Sequence, residues 1–371
     1  MKVLVIAPDY PPSVGGIQRV LHNMVSHLPG AEVKVLASQV LPDGHHGGRS
    51  VDIIPLPLVH KLSRSTKLRS LAFNMLGLRQ LYANYRPDVI INGHLVAAPL
   101  CALLAWRFRV PLVTYIYGKE VAGRPGMAKI ADRYSHSFVS VSQYTLSLLE
   151  KSLGRQPRAN PHIIHSGTDS PLGTEAKDWS SQRVLTVGRI RDAYKGHDVM
   201  LEAWPSVIRK HPLAEWRIVG DGKLRRTLED RVAQLGVEES VTFLGEVDDE
   251  ELEQEFREAA IFSMPTRYPK DEVAGEGFPV VYVEAGRWKL PSVSGDTGGP
   301  VEAVQDQITG IHVDAESPTA VANALDRLLG DENLRQLLGE AAYERVVREL
   351  TWDKLAHQLI GVLNLAVANN E

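Results

Sequence analysis

Residues 2–28 have the sequence KVLVIAPDYPPSVGGIQRVLHNMVSHL, in which an apolar strand is followed by a Pro- and Gly-rich loop and an amphipathic helix. Short runs of Val, Ile and Leu bounded by Gly, Pro or Asp predict strands, and apolar residues at helical spacing predict helices. The same alternation recurs through the whole chain. It is typical of βαβ units and predicts parallel sheets.

The predicted elements fall into two similar halves. The predicted strands are 2–7, 32–37, 51–56, 89–92, 112–117, 137–142 and 162–165 in the first half, and 184–188, 215–219, 241–244, 261–264, 292–294 and 310–313 in the second. The predicted helices are 17–28, 68–85, 95–108, 143–153, 199–210, 224–235, 249–259, 280–288, 318–329 and 332–349. Each half is therefore expected to form an open α/β sheet.

The length of the chain supports two domains. A chain of 371 residues exceeds the size at which one hydrophobic core stops growing. Residues 166–179 are rich in Gly, Pro, Ser and Thr and predict a linker. We predict Rossmann-like domains over 1–168 and 169–350, with parallel sheets facing across a cleft. Ligands of such sheets bind beyond the carboxyl ends of the strands, so site residues are sought in the loops that follow strands.

The charge is divided unevenly between these halves. The sequence has 41 Lys and Arg against 45 Asp and Glu, a net charge of −4. Residues 1–168 contain 19 Lys and Arg against 8 Asp and Glu, or +11, which leaves 22 against 37, or −15, in the remainder. A basic half suggests an anionic partner such as a membrane surface, a phosphate or a nucleic acid. Since no recognisable nucleic-acid-binding module accompanies the charge, nucleic acid is not expected.

One segment of the first half concentrates this charge. No acidic residue occurs between Asp52 and Asp88, and apolar residues alternate with basic ones. The basic residues are Lys61, Arg64, Lys67, Arg69, Arg79 and Arg86. Such a segment is suited to an anionic lipid surface, with an ordinary solvated helix face as the alternative.

Several classes of protein are excluded by what the sequence lacks. Cys101 is the only cysteine, so an intrachain disulfide and a cysteine-rich metal site are excluded and a reducing cytosol is expected. The apolar start is too short for a signal peptide, and the apolar stretch 89–106 is interrupted by polar residues and Pro99. Any membrane contact is therefore expected to be peripheral. There is no G-x-G-x-x-G after the first strand, no P-loop, no G-x-S-x-G and no D-x-D.

The loop after the first strand is a candidate phosphate site. Gly15 and Gly16 precede the first helix, where backbone N–H groups can approach a phosphate and the helix dipole contributes positive charge. A tight strand-to-helix turn is the alternative.

In the second half, Gly188 and Arg189 follow a strand and Lys195 follows on the same loop. Two cations near a helix start are suited to neutralising a diphosphate leaving group.

The most informative segment of the second half is EGFPVVYVE, residues 276–284. Its two carboxylates flank a turn that opens a helix. Glu284, inside that helix, can accept hydrogen bonds from two ribose hydroxyls, whereas Glu276 precedes the helix, where a sugar would lie. Glutamates are abundant, so the pattern gains weight from the Gly298-Gly299-Pro300 turn that follows the next strand.

The order and spacing of these motifs resemble the family 4 retaining glycosyltransferases, most closely the bacterial phosphatidylinositol mannosyltransferase group and related cell-envelope enzymes. The resemblance covers nearly the whole chain. It rests on residues 15–18 (GGIQ), 117–120 (YGKE, where the family has H-G-x-E), 141–145, 165–169, 188–189 with 195–196, 219–222 (VGDG), 276–284 and 351–353 (TWD). It implies the GT-B architecture, with a terminal helix over 351–371 that packs back on the first domain.

The resemblance also implies roles for individual residues. Arg189, Lys195, Glu276 and Tyr117 would act in catalysis. The donor would be bound by Gly15, Gly16, Gly188, Arg189, Lys195, Gly220, Glu276, Phe278, Val280 and Glu284, with the backbone N–H groups of Phe278 and Val280 helping at the sugar. On the acceptor side we place Gln18 and Glu120 from these motifs, His94 from its position after a strand, and Lys61 and Arg64 from the basic segment. Catalysis in the family relies on electrostatics and positioning, so neither a metal nor a cofactor is expected.

Two residues depart from the family pattern. Tyr117 stands where the family has histidine, and a phenol has a different reach and no charge change near neutral pH. Pro279 stands at a position where the family often has Gly, and a proline cannot donate a backbone hydrogen bond. Both changes fall around the donor sugar.

Two further features allow a functional and a structural interpretation. His94 follows a strand and is either a contact to acceptor or donor, or a capping residue. The acidic run 248–251 is interpreted as a helix cap and not as a metal site.

We therefore expect a metal-independent retaining hexosyltransferase in glycolipid or cell-envelope polysaccharide synthesis. It would move a sugar from GDP-mannose or a UDP-sugar to a lipid-linked or anionic glycan acceptor. Its expected location is the cytoplasm, with peripheral contact at the inner face of the cell membrane. A non-catalytic GT-B protein that binds a nucleotide sugar and a non-hydrolysing sugar epimerase remain as alternatives.

Overall fold

The computed structural model describes residues 1–11, 15–38, 51–56, 66–81, 85–171, 177–268 and 275–370. The chain divides into two compact units. The first comprises Met1–Ser166 with Trp352–Glu371, and the second comprises Gly167–Thr351. The boundary expected after residue 168 lies two residues beyond this division.

The first unit is built on a seven-stranded parallel sheet with the order β3-β2-β1-β4-β5-β6-β7. Its strands are β1 (Lys2–Ile6), β2 (Glu32–Ala37), β3 (Asp52–Pro55), β4 (Val89–Asn92), β5 (Leu112–Ile116), β6 (Ser137–Ser140) and β7 (Asn160–Ile163). Its helices are α1 (Gly16–Ser26), α2 (Thr66–Leu81), α3 (Ala98–Phe108), α4 (Lys119–Gly123), α5 (Pro125–Tyr134) and α6 (Gln143–Leu153). The central strands are buried on both faces, and for this reason they consist of Val, Ile and Leu without polar alternation.

The second unit has a six-stranded parallel sheet with the order β10-β9-β8-β11-β12-β13. Its strands are β8 (Arg183–Val187), β9 (Glu215–Val219), β10 (Val241–Gly245), β11 (Ile261–Met264), β12 (Ser292–Gly295) and β13 (Gly310–Val313). Its helices are α7 (His197–Lys210), α8 (Arg225–Leu235), α9 (Asp249–Glu258), α10 (Val280–Arg287), α11 (Pro300–Ala303), α12 (Pro318–Gly330) and α13 (Glu332–Glu349). Trp204 and Trp216 lie in its core with ring centroids 5.8 Å apart.

The C-terminal helix α14 (Trp352–Ala368) belongs to the first unit. It packs against α1, β4 and β5 through buried residues that include Trp352, Leu355 and Leu359. The chain thus returns to its first sheet after completing the second.

The two Rossmann-like parallel sheets predicted from the sequence are confirmed. Helices α4 and α5 are not among the predicted elements, and neither is the short α11. The acidic run before α9 is a cap: the Asp248 carboxylate accepts the Glu251 N–H at 2.9 Å, and the Glu251 carboxylate accepts the Asp248 N–H at 3.3 Å. Within the described ranges, no helix has the length and apolar character needed to cross a bilayer.

Candidate active site

The candidate donor site of the second unit lies where the strand order of its sheet reverses. From β8 the chain continues to β9 on one side, whereas β11 lies on the other side of β8. Gly188, Arg189 and Lys195 follow β8, and Glu276 follows β11. Because neighbouring parallel strands end at the same edge of a sheet, the two groups of residues come together there, at the position where open α/β sheets bind ligands.

Lys195 and Glu276 form the centre of this site. The Lys195 Nζ lies 2.9 Å from the Glu276 Oε1, and the two side chains are 10% and 27% exposed. Lys195 ends the 3₁₀ turn Ala193–Lys195, and Gly196 then turns the chain into α7 with φ of 80°. A Cβ on Gly196 would lie 2.2 Å from the Pro265 carbonyl oxygen, so only glycine allows the β8 loop to pass this close to the β11 loop.

Two tyrosines hold Glu276 in place. The Tyr194 hydroxyl donates to the Glu276 Oε1 at 3.2 Å. Burial raises the pKa of Tyr194, and the nearby Glu276 charge raises it further, so this hydroxyl remains a donor. The Tyr268 hydroxyl donates to the Glu276 carbonyl and accepts the Glu276 N–H at 3.0 Å and the Gly299 N–H at 3.1 Å.

The two glycines of the VGDG segment at the end of β9 are required because the β8 loop passes close to them. Gly220 has φ of 124°, and a Cβ there would lie 2.3 Å from the Gly188 carbonyl oxygen. A Cβ on Gly222, with φ of 157°, would lie 2.4 Å from the Ile190 carbonyl oxygen. The Ile190 N–H donates to the Asp221 carbonyl at 2.9 Å. The two loops therefore touch backbone to backbone, and this contact fixes the path of the chain on both sides of Arg189.

The remaining donor residues surround this centre. Arg189 is exposed, and no hydrogen bond or salt bridge joins its side chain to another described residue. Glu284 lies half-buried in α10, whose first residue is Val280. Phe278 is buried, and Pro279 is the N-cap of α10 without a side-chain cap. An exposed cation, a buried cation and two carboxylates thus follow β8 and β11, an arrangement that can bind a diphosphate and sugar hydroxyls.

The first unit has a matching reversal between β1 and β4. Gly15 is the N-cap of α1, and the Gln18 side chain folds over it. A Cβ on Gly16 would meet no described atom within 4 Å, so packing does not require glycine there. The open space is consistent with the predicted approach of a phosphate to the backbone.

His94 is the second residue of the loop after β4. Its Nδ1 accepts the Val96 N–H at 3.3 Å and so caps the 3₁₀ turn Leu95–Ala97. Burial lowers the pKa of His94 to about 4, with the Asp9 charge opposing and the Arg124 charge adding to this shift. The imidazole is therefore neutral at physiological pH.

Tyr117 and Glu120 are both buried. The Glu120 Oε1 accepts the N–H groups of Tyr117 at 2.5 Å and Gly118 at 3.2 Å, which stabilises the turn between β5 and α4. The Tyr117 ring stacks on the Tyr115 ring, with the ring centroids 5.7 Å apart. Its hydroxyl is buried with no hydrogen-bond partner among the described residues, and burial raises its pKa well above the usual value. Tyr117 is thus a neutral phenol at the carboxyl end of the first sheet.

Two predicted acceptor residues, Lys61 and Arg64, lie outside the described residues. Sequence reasoning did not identify Tyr194 and Tyr268 as site residues. Tyr194 directly precedes Lys195, and Tyr268 lies four residues after β11, so both occupy loops in which site residues were sought. The described residues contain no group of three or more His, Cys, Asp or Glu with the geometry of a metal site.

Both halves of the chain match models of glycosyltransferase families. Residues 14–170 match the family described as "Glycosyltransferase Family 4", and residues 174–345 match the family described as "Glycosyl transferases group 1". The two matches divide near the boundary between the structural units.

Curated relatives match over nearly the full length. The GDP-mannose-dependent alpha-(1-6)-phosphatidylinositol monomannoside mannosyltransferase of Mycobacterium tuberculosis is 29% identical, with 98% of each chain covered. The monoacylated-substrate counterpart of Corynebacterium glutamicum is 28% identical, covering 98% of this chain and 97% of its own.

Solved structures share the fold. Anabaena HepE, in complex with UDP and glucose, superposes with a TM-score of 0.76 at 17% identity, covering 98% of this chain and all of its own. Sucrose-phosphate synthase of Thermosynechococcus elongatus gives a TM-score of 0.76 at 20% identity, covering 99% of each chain.

Proposed function

We propose that this chain, which belongs to the family 4 glycosyltransferases of GT-B fold, transfers mannose from GDP-mannose to an anionic, lipid-linked acceptor. It is a hexosyltransferase that uses a nucleotide sugar. The choice of donor is supported by the full-length relatives, whose names specify GDP-mannose. The acceptor class is supported by the same names, which specify phosphatidylinositol mannosides, and by the net charge of +11 in residues 1–168, from 19 basic and 8 acidic residues.

The observation that carries the proposal is the contact of Lys195 with Glu276 at the reversal of the second sheet, with the exposed Arg189 on the same loop as Lys195. On this proposal Arg189 and Lys195 bind the diphosphate and stabilise the charge that develops as it leaves. Glu276 binds the sugar, and Glu284 binds the ribose. Because the Lys195 ammonium already lies 2.9 Å from Glu276, one cation contacts both the leaving group and the carboxylate at the sugar.

We further propose that transfer is retaining and metal-independent. The leaving diphosphate would take the proton from the acceptor hydroxyl on the same face of the sugar. That step needs no carboxylate as a general base, and Lys195 and Arg189 would supply the positive charge. Proton NMR of the first product formed tests the stereochemistry, because an inverted anomeric centre would refute the retaining mechanism. Transfer that disappears with EDTA and returns with Mg²⁺ would refute metal independence.

The acceptor is assigned to the first unit, at the reversal between β1 and β4. His94 follows β4, where the charges of Asp9 and Arg124 act on its pKa, and its neutral imidazole can hydrogen-bond to a hydroxyl. Arg124 can contact the phosphate of an anionic lipid headgroup.

Peripheral contact with a membrane is part of the proposal, and one face of the first unit supports it. Helices α2 and α5 both pack against α3. The Asn74 side chain of α2 accepts the Leu100 N–H at 3.1 Å and donates to the Val96 carbonyl at 3.2 Å, which joins α2 to the start of α3. These helices expose the large apolar side chains of Leu71, Met75, Leu103, Trp106 and Tyr134.

The charges on these helices favour an anionic lipid surface. Arg79, Arg107 and Arg133 are exposed on α2, α3 and α5. The single carboxylate in their sequences, Asp132, is buried and paired with Arg155. Trp106 is 73% exposed, and indole rings favour the headgroup region of a bilayer.

Flotation with vesicles tests this contact. We expect the protein to bind vesicles of phosphatidylcholine mixed with phosphatidylinositol, and to lose binding as salt is raised. Trp106→Ser should weaken binding, whereas Leu213→Ser, at an exposed apolar residue of the second unit, should not. Equal binding by wild type and Trp106→Ser would refute the assignment of this face.

Transfer of radiolabelled mannose into a lipid extract tests the main proposal. Arg189→Ala should lower kcat/KM by about 100-fold or more. Arg191→Ala, an exposed arginine two residues further along the same loop, should leave it near wild type and serves as the matched control. Incorporation from a UDP-sugar and not from GDP-mannose would refute the donor. Binding without transfer, or release of an isomerised nucleotide sugar without acceptor, would refute the proposed reaction.

A further inference from the structure

We propose that Tyr268 is a positioning residue for the donor sugar, which it serves by fixing the backbone of Glu276 to the turn at Gly299. The inference rests on the proposed function, in which Glu276 binds the sugar. Tyr268 would touch no substrate. It would act through Glu276 alone.

The hydroxyl of Tyr268 uses its full hydrogen-bonding capacity on two loops. It donates to the Glu276 carbonyl, accepts the Glu276 N–H at 3.0 Å and accepts the Gly299 N–H at 3.1 Å. A hydroxyl has one proton to donate and two lone pairs to accept with, so all three are engaged. The same atom therefore binds both backbone groups of Glu276 and ties them to the loop after β12.

The ring of Tyr268 fits against two glycines. A Cβ on Gly275, with φ of 137°, would lie 1.9 Å from the ring, and a Cβ on Gly298, with φ of 74°, would lie 2.2 Å from it. A Cβ on Gly299 would lie 2.3 Å from the Gly277 carbonyl oxygen. At these three glycines there is therefore no room for a side chain, and the Tyr268 ring lies against two of them.

The carboxylate of Glu276 is held separately from its backbone. Lys195 and Tyr194 contact its Oε1 at 2.9 Å and 3.2 Å. The position of this oxygen also depends on the Glu276 backbone, so the two contacts hold it in place only if that backbone is held as well. Pro279 has no N–H, so the loop after Glu276 has one backbone donor fewer.

The variant Tyr268→Phe removes the hydroxyl and keeps the ring between the glycines, so the fold is expected to persist. Tyr343→Phe, on α13 of the same unit, is the matched control. Hydrogen exchange should become up to about tenfold faster at the amides of Glu276 and Gly299 in Tyr268→Phe. Exchange elsewhere, and in the control, should be unchanged.

Kinetics separate positioning from a structural role. With GDP-mannose, kcat of Tyr268→Phe should fall about 10-fold to 100-fold. The Kd for GDP, which lacks the sugar, should stay within about twofold of wild type. This split is expected because the Tyr268 hydroxyl binds the backbone of Glu276, the proposed ligand of the sugar, and GDP has no sugar.

The outcomes are distinguishable. Unchanged exchange at both amides, or faster exchange with wild-type kcat, would overturn the positioning role. Loss of GDP affinity together with kcat would also overturn it, because that result indicates a damaged domain. A wild-type chain that transfers no sugar would refute the proposed function, and the exchange measurement, which uses no donor, would still test the hydrogen bonds of Tyr268.

Discussion

Replacement of Lys195 by methionine, combined with Glu276→Gln, separates the two roles of the Lys195 side chain. Met has a similar length and no charge. In the free protein, Lys195 neutralises Glu276 at 2.9 Å, and with donor bound it is proposed to contact the diphosphate as well. A variant that lacks the charge loses both interactions, and a second variant tells them apart.

The structure sets the size of each effect. At 2.9 Å and an effective dielectric constant of about 20, the attraction between the two charges is about 6 kcal/mol before desolvation. Water reaches the Glu276 side chain, which is 27% exposed, and Tyr194 remains as a donor, so the loss in unfolding free energy is reduced to about 1–3 kcal/mol. The loss of a preorganised cation at the leaving group costs about 3–4 kcal/mol, or a 10²- to 10³-fold decrease in kcat/KM.

The assay is a double-mutant cycle with Glu276→Gln, measured by denaturant unfolding and by mannose transfer. In the double variant no unpaired carboxylate remains, so unfolding free energy should recover by about 1–2 kcal/mol relative to Lys195→Met. Transfer should not recover, because the diphosphate still lacks its cation. Wild-type kcat/KM in Lys195→Met, or recovery of transfer together with stability in the double variant, would refute the diphosphate role.

Two further predictions concern stability. His197, 4% exposed at the start of α7, has its pKa lowered by burial to about 4. Below about pH 6.5 the unfolded state then binds more protons than the folded state, so the unfolding free energy falls by about 3 kcal/mol as pH drops to about 4. In His197→Gln, the denaturation midpoint should depend less on pH over this range. A dependence equal to that of wild type would contradict the assignment. Gly196 and Gly236 both have positive φ, of 80° and 66°, but only at Gly196 would a Cβ collide, with Pro265. Gly236→Ala should cost about 1–2 kcal/mol and Gly196→Ala clearly more in chemical denaturation, and equal losses would show that the close approach to Pro265 is not limiting.

The sheets could be predicted from the sequence because buried parallel strands are continuous runs of Val, Ile and Leu. The region 119–134 could not, because its helices are short and their apolar faces depend on alanines such as Ala128 and Ala131. The segment GRPG, residues 123–126, also has the composition of a turn. Pro125 nevertheless occupies the first position of α5, where a proline is compatible with a helix.

The charged residues of the candidate site could be proposed from their motifs, but their connections could not. The hydrogen bond from Tyr194 to Glu276 spans 82 residues and exists because β8 is the neighbour of β11 in the sheet. Local sequence does not encode that order. The two glycines of the VGDG segment were identified by resemblance, whereas the structure supplies the reason for both, namely the carbonyl groups of Gly188 and Ile190.

The backbone contact between the loops after β8 and β9 limits how the donor site can be redesigned. Gly220 and Gly222 leave no room for a side chain between the loops, so a longer or bulkier loop imported from another enzyme on one side would collide with the other. Chimeras that exchange both loops together should keep this backbone contact, and chimeras that exchange only one loop should misfold locally. The two loops are therefore the smallest unit to exchange when the sugar nucleotide that this chain accepts is to be changed.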